Sequence, residues 1–190
     1  IYWYALDQKA GAERGLLLMN EANYDFFQVF IHSKNKKKSA YLSMRFSNDN
    51  DFQSLLKNAK NAEERNMAYF LLAYNEYNNP VPLLEKMLAN NADSDILKVL
   101  AARSINQLER SYLPIYVSCG EDCQNKDKRL PLYSEIYGIG YDDAKSKNFI
   151  DQMTAFIAKA RAKSDDYYFQ MADAYVKFLN KDYAKSLTIL

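Results

Sequence analysis

Ala62-Glu-Glu-Arg-Asn-Met-Ala-Tyr-Phe-Leu-Leu-Ala-Tyr-Asn-Glu-Tyr77 decides the fold class. Met67, Phe70, Leu71, Tyr74 and Tyr77 fall at spacings of three, one, three and three, which is one stripe of a 3.6-residue period and predicts an α-helix. Asn61 stands at the N-cap position with Glu64 three residues on, the capping-box pattern that satisfies otherwise orphaned amides. Asn78-Asn79-Pro80 ends the helix, because proline disfavours helical geometry in the residue before it and has no amide to donate. Ala68, Leu72 and Ala73 lie off the stripe, so the helix is apolar on more than one side and reads as an interior one.

Outward from it, similar stripes predict further helices: Leu97, Leu100, Ala101, Ile105 and Leu108, and then Phe149, Met153, Phe156, Ile157 and Ala160. A fourth runs Tyr168, Met171, Ala172, Tyr175, Leu179, with Ser164 as its expected N-cap and Asp165 and Asp166 suited to the positive end of the helix dipole. Only five glycines and four prolines punctuate 190 residues, so the segments between breaks are long. The fold class is all-α, without a sheet.

Three segments also resemble one another. Ala40-Tyr41 is followed fifteen residues later by Leu55-Leu56, Ala68-Tyr69 by Leu83-Leu84, and Ala174-Tyr175 by Ile189-Leu190. Leu42, Phe70 and Val176 match two residues after the alanine, and Met44, Leu72 and Phe178 match four after it. A helix, a turn and a second helix make the unit. Self-similarity at a fixed offset is how stacked antiparallel helical hairpins of an α-solenoid show themselves, since each buries its apolar faces against its neighbours. Residues 1–110 form one helical-repeat section and 144–190 another, joined by an irregular connection over 111–143, where Pro114, Gly120, Pro131, Gly138 and Gly140 cluster.

Met171-Ala172-Asp173-Ala174-Tyr175 followed by Lys181-Asp182-Tyr183-Ala184-Lys185-Ser186-Leu187 resembles the first-helix and second-helix words of a tetratricopeptide repeat. The link between the words is longer than in that repeat, Ser186 stands where alanine is usual, and the match covers one unit, with a looser one at Ala68. The resemblance implies a tetratricopeptide-like solenoid fragment that binds proteins. Arg103-Ser104-Ile105-Asn106-Gln107-Leu108-Glu109 is similar to a stretch of long, uncharacterised helical-repeat proteins of the Bacteroidota cell envelope. That implies a bacterial envelope or periplasmic setting, with the cytoplasm as alternative. The chain opens on Ile1 and closes on the apolar Thr188-Ile189-Leu190, which reads as a section of a longer protein.

With 25 basic and 24 acidic residues, the net charge of +1 gives no global field to draw in nucleic acid or an anionic membrane, and both are disfavoured as partners. No apolar run approaches the roughly 18 to 20 residues of a membrane-spanning helix. Cys119 and Cys123 are the only cysteines and His32 the only histidine, too few for a four-ligand zinc site. The cysteine pair is either a local disulfide or two free thiols, which alkylation with and without reductant separates. His32 has no nucleophile or carboxylate pattern beside it and reads as a structural or surface residue. Gly11 and Gly15 read as a place where helices pack closely, and Trp3 as part of the preceding unit's core.

Lys34, Lys36, Lys37 and Lys38 form a short basic cluster, and Tyr137 and Tyr141 flank the Gly138-Ile139-Gly140 turn; both are candidate interaction surfaces. No catalytic constellation, metal site or cofactor is expected. The leading function is therefore a non-catalytic protein-binding or scaffolding module of a larger helical-repeat protein, with a protein as partner and its curved face as the binding surface. A carbohydrate- or ligand-binding surface protein using exposed tyrosines with Trp3 is the alternative. An all-α enzyme using Glu121 and Asp122 is the third reading.

Overall fold

The computed structural model describes residues 1–46, 49–75, 79–112 and 143–190. Among these residues the chain forms ten α-helices and no strand, an all-α fold. The helices are α1 (Tyr2–Gly15), α2 (Met19–His32), α3 (Lys37–Ser43), α4 (Asp49–Asn58), α5 (Ala62–Asn75), α6 (Val81–Asn90), α7 (Asp95–Tyr112), α8 (Asp143–Arg161), α9 (Tyr167–Leu179) and α10 (Tyr183–Ile189). They belong to two compact units, Ile1–Ala68 and Tyr69–Leu190, whose boundary falls inside α5.

The start of α5 is built as its sequence demands. The Glu64 amide donates to Asn61 Oδ1 at 2.8 Å, and the Glu64 carboxylate reaches back to accept from the Lys60 amide at 2.8 Å. The return bond thus lands one residue before the cap, a variant of the reciprocal capping box. The apolar stripe sits differently from expectation: Ala68, Leu71 and Ala73 are buried, Met67 and Phe70 are half-buried, and Tyr74 is exposed. Small side chains let neighbouring backbones approach, so the alanines take the tightest face while Tyr74 stands outside under the Arg103 guanidinium, 4.0 Å from its ring centre.

In unit 1, α2 is the central element, packed on α1, α3 and α4. Phe26, Phe27 and Val29 fill the core with Ala10 of α1 and Ala40 of α3. The seam between α1 and α2 is polar. Lys9 bridges to Glu13 at 2.7 Å and to Asp25, and Lys36 reaches Asp7 at 3.1 Å. Asn23, buried in α2, grips the backbone just past α3, accepting from the Arg45 amide at 2.8 Å and donating to the Arg45 carbonyl. One side-chain amide thereby satisfies both backbone groups of a residue leaving a helix.

The α1–α2 turn is a left-handed helix ending: Leu17 has φ of 63°, and the Leu18 amide donates to the Glu13 carbonyl at 3.0 Å. Glycine is usual at that position because a Cβ crowds the backbone there. The glycines lie elsewhere. A Cβ built on Gly11 or Gly15 meets nothing within 4 Å, so the close helix packing expected at these positions is absent; α1 approaches α2 through Ala10 instead.

In unit 2, α6, α7, α8 and α9 pack around one core, and α10 folds back on α9. Leu97, Leu100, Ala101, Ile105 and Leu108 of α7 are buried as predicted, as are Phe149, Met153, Phe156, Ile157 and Ala160 of α8. Their partners are Leu84 and Met87 of α6 and Phe169 and Val176 of α9. The helix ends are tied together by polar groups. Lys98 bridges to Asp95 at 2.8 Å and to Asp166 at 2.7 Å, and the Ser164 hydroxyl donates to Asp93 at 2.8 Å.

The N-cap of α9 is Asp166, not Ser164: its carboxylate accepts the Tyr168 amide at 2.8 Å. Ser164 sits two residues earlier, accepting from the Asp166 amide while committed to Asp93. Asp166 is held below the usual carboxylate range by the Lys98 ammonium and then by the Tyr168 amide. Residues 113–142, which contain Cys119, Glu121, Asp122, Cys123, Tyr137 and Tyr141, lie outside the described residues; α7 runs on through Tyr112 and α8 begins at Asp143.

Opposite substitutions in α1 and its turn both stabilise the chain. Gly11→Ala gains about 0.5–1 kcal/mol because glycine weakens a helix interior and the added methyl has room. Leu17→Gly gains about as much by relieving the left-handed strain. Urea unfolding of each variant checks both through an upward shift of the midpoint. At Tyr168, burial pushes the phenol up to about 12, partly offset by Lys98, and its hydroxyl has no hydrogen-bond partner among the described residues. A folded pKa above the unfolded value of about 10 gives stability that is present below pH 10 and lost as pH rises toward 12. Tyr168→Phe should raise stability by about 1 kcal/mol at neutral pH. The gap between variant and parent should widen between pH 10 and 12 in denaturant titrations.

Candidate functional site

An apolar groove runs along the α9–α10 hairpin of unit 2, with a volume of about 500 Å³. Met171, Ala174, Tyr175 and Phe178 line it from α9, and Tyr183, Ser186, Leu187 and Leu190 from α10 and its C-cap. Each set has the spacing three, one, three, so the groove is two matching helical stripes facing a common trough. The lining span of α9 from Met171 to Phe178, at about 1.5 Å rise per residue, is about 10 Å long, the length of two helical turns.

The trough exists because α9 is apolar on two sides. Phe169, Ala172, Val176 and Leu179 are buried in the core of unit 2, and Met171 and Phe178 on the other side stay 41 % and 43 % exposed. Hydrogen bonds fix the second wall. The buried Ser186 hydroxyl donates to the Ala174 carbonyl at 2.7 Å, and the Gln170 side-chain amide donates to the Ile189 carbonyl at 2.7 Å. At the turn, Lys181 has φ of 63°, and Asp182 caps α10 while pairing with Lys185 at 2.8 Å. That Lys185 ammonium draws the Asp182 carboxyl below its ordinary value.

Aromatic rings form the floor. Tyr175 stacks on Phe178 with centres 6.1 Å apart, and Phe178 meets Tyr183 at 5.6 Å. Burial raises the Tyr175 phenol, and Glu109 of α7, which accepts a hydrogen bond from it, raises it further. The hydroxyls of Tyr175 and Ser186 are thus engaged within the protein, which leaves the groove surface mostly apolar. Such a surface fits apolar side chains, and it holds no juxtaposed nucleophile and base. Among the described residues no group of three or more His, Cys, Asp and Glu side chains is placed to hold a metal ion. No helix among them is long and apolar enough to cross a membrane.

The lysine cluster lies in unit 1, over the end of α2 and the start of α3, and its members differ. Lys36 pairs with Asp7 and lies over the Tyr4 ring at 4.3 Å. Lys37 donates to the Phe30 and Ile31 carbonyls at 2.9 and 3.0 Å, closing the end of α2. Lys34 and Lys38 are exposed. His32 is an exposed residue stacked on Trp3 with ring centres 4.9 Å apart, so one face of that indole is covered. Trp3 sits in α1 against its own unit's His32.

Sequence reasoning missed the groove. The stripe Tyr168, Met171, Ala172, Tyr175, Leu179 marks one apolar side of α9, although Ala174 and Phe178 extend that apolar surface beyond it toward the groove. That two-sidedness, recognised for α5, was the available signal. No family model, curated protein or solved structure matches the chain.

If Ser186 holds α10 in place, Ser186→Ala leaves the Ala174 carbonyl without this buried partner and costs about 1–2 kcal/mol. Thermal unfolding checks the loss, and hydrogen exchange should show the α10 amides opening before those of α7 and α8.

Proposed function

We propose that this chain is a non-catalytic protein-interaction module whose α9–α10 groove receives an amphipathic helix of a partner protein. The observation that carries the reading is the groove itself: two facing apolar stripes, about two helical turns long, with their polar groups already engaged. An incoming helix with apolar residues at i, i+3, i+4 and i+7 matches that length and chemistry. Burying the exposed side chains of Met171, Phe178, Tyr183, Leu187 and Leu190 contributes about 1 kcal/mol each before the cost of association.

The same reading makes the chain part of a tetratricopeptide-like α-solenoid that scaffolds a larger assembly, in a bacterial cell envelope. Its support is the resemblance at Met171–Leu187 and the burial of the three recurrent alanines, Ala40, Ala68 and Ala174, all at or below 3 % exposure. Small residues at equivalent places in α3, α5 and α9 are what close helix crossings require.

Site-specific crosslinking tests the proposal. A photo-crosslinking residue at Leu187 should attach to a helical segment of one partner protein. Leu187→Asp with Leu190→Asp should lower capture of that partner at least tenfold while leaving the unfolding temperature within a few degrees, since these side chains are 74 % and 65 % exposed. Undiminished capture by the doubly substituted chain would contradict it.

A further inference from the structure

Unit 1 brings together two features that lie far apart in the sequence. The first turn of α1 carries Tyr2, Trp3 and Tyr4, the link from α2 to α3 carries Lys34 and Lys36, and the start of α3 carries Lys37 and Lys38. The Trp3–His32 stack and the Lys36–Tyr4 and Lys36–Asp7 contacts place them at one end of the unit. Tyr2 and Tyr4 are 67 % and 59 % exposed, and Lys34 and Lys38 are exposed beside them.

The charge there is one-sided. Neither residues 1–6 nor residues 26–46 contain an Asp or Glu, and Asp7, which follows the first stretch, is buried against Lys36. A chain with a net charge of +1 therefore holds a local positive patch that its overall balance conceals.

The aromatic rings decide between the anionic surfaces such a patch could meet. Single-stranded nucleic acid binds by stacking bases on free ring faces. Here His32 covers a face of Trp3, Tyr2 meets Trp3 edge-on at 4.7 Å, and Lys36 lies over Tyr4. Large parts of the Tyr2 and Tyr4 rings remain outward, beside the exposed Lys34 and Lys38. Tyrosine and tryptophan with that combination of apolar body and polar tip favour the headgroup layer of a bilayer, and neighbouring lysines are drawn to anionic lipid.

We infer that this end of unit 1 docks on an anionic lipid surface. Tyr2, Trp3 and Tyr4 enter the headgroup layer, and Lys34 and Lys38 meet the lipid phosphates and carboxylates. Lys36 and Lys37 hold the patch in shape through Asp7 and the carbonyls of α2. This contact is separate from the groove of unit 2 and does not depend on its role.

Trp3 is the only tryptophan, so its emission reports on this end alone. The chain is titrated with vesicles of phosphatidylcholine and with vesicles in which about a third of the lipid is phosphatidylserine. The serine-containing vesicles should shift Trp3 emission to the blue and carry the chain down on sedimentation, with both effects reversed by salt. Phosphatidylcholine alone should do neither. Lys34→Glu with Lys38→Glu should weaken sedimentation at least tenfold and leave thermal unfolding unchanged. Equal binding to both vesicles, full binding by the doubly substituted chain, or binding of a single-stranded oligonucleotide in place of vesicles would overturn the inference.

Discussion

The close crossing of α9 and α10 is the contact on which the site of unit 2 depends. Ala174 is 3 % exposed and presents a carbonyl that the Ser186 hydroxyl reaches at 2.7 Å, so the two helices meet through small side chains and a hydrogen bond. A larger residue at either place would push α10 outward. On either side of the crossing, Phe178 and Tyr183, whose ring centres are 5.6 Å apart, and Met171 and Leu187 line the trough. The opposite side of α9 is fixed by the core it shares with α7 and α8, which gives the trough a rigid back. A rigid preformed surface loses less entropy when it binds than one that must first be ordered.

Both units use polar groups at the ends of helices to set how the apolar faces meet. In unit 2, Lys98 with Asp166 and Ser164 with Asp93 join the turn after α8 to the turn before α7. In unit 1, Asn23 fixes the exit of α3, and Lys9 and Lys36 pair with carboxylates along the α1–α2 seam. Exposed ion pairs of this kind add little stability individually. Asp7 and Asp25 are buried, and there the lysine neutralises a charge that would otherwise resist removal from water. The core supplies the driving force, and these contacts select one arrangement of helices.

The helices were legible in the sequence because amphipathic periodicity acts locally, and the stripes of α7 and α8 are buried residue for residue. The Asn61 cap was legible for the same reason. Ser164 and Asp166 compete for one helix start, and the choice fell to Asp166 because Ser164 is engaged by Asp93, seventy-one residues away, which no local pattern records. Gly11 and Gly15 read as a close approach, yet a glycine pair has this spacing whether or not a neighbour fills the space. The lysines at 34–38 and the aromatics at 2–4 were each visible alone, and their juxtaposition belongs to the packing of α1 on α2. The groove was hidden because Met171 and Tyr175 suit a core and a binding surface equally well; the placement of α10 separates the two.

If the α9–α10 trough takes up a helix of the partner, methyl NMR of the chain labelled at methionine and leucine, recorded free and bound to its protein partner, shows the Met171, Leu187 and Leu190 methyls changing most on binding, while those of the buried Met153 and Leu100 hold their positions. Unchanged signals from Met171, Leu187 and Leu190 in a saturated complex would contradict it.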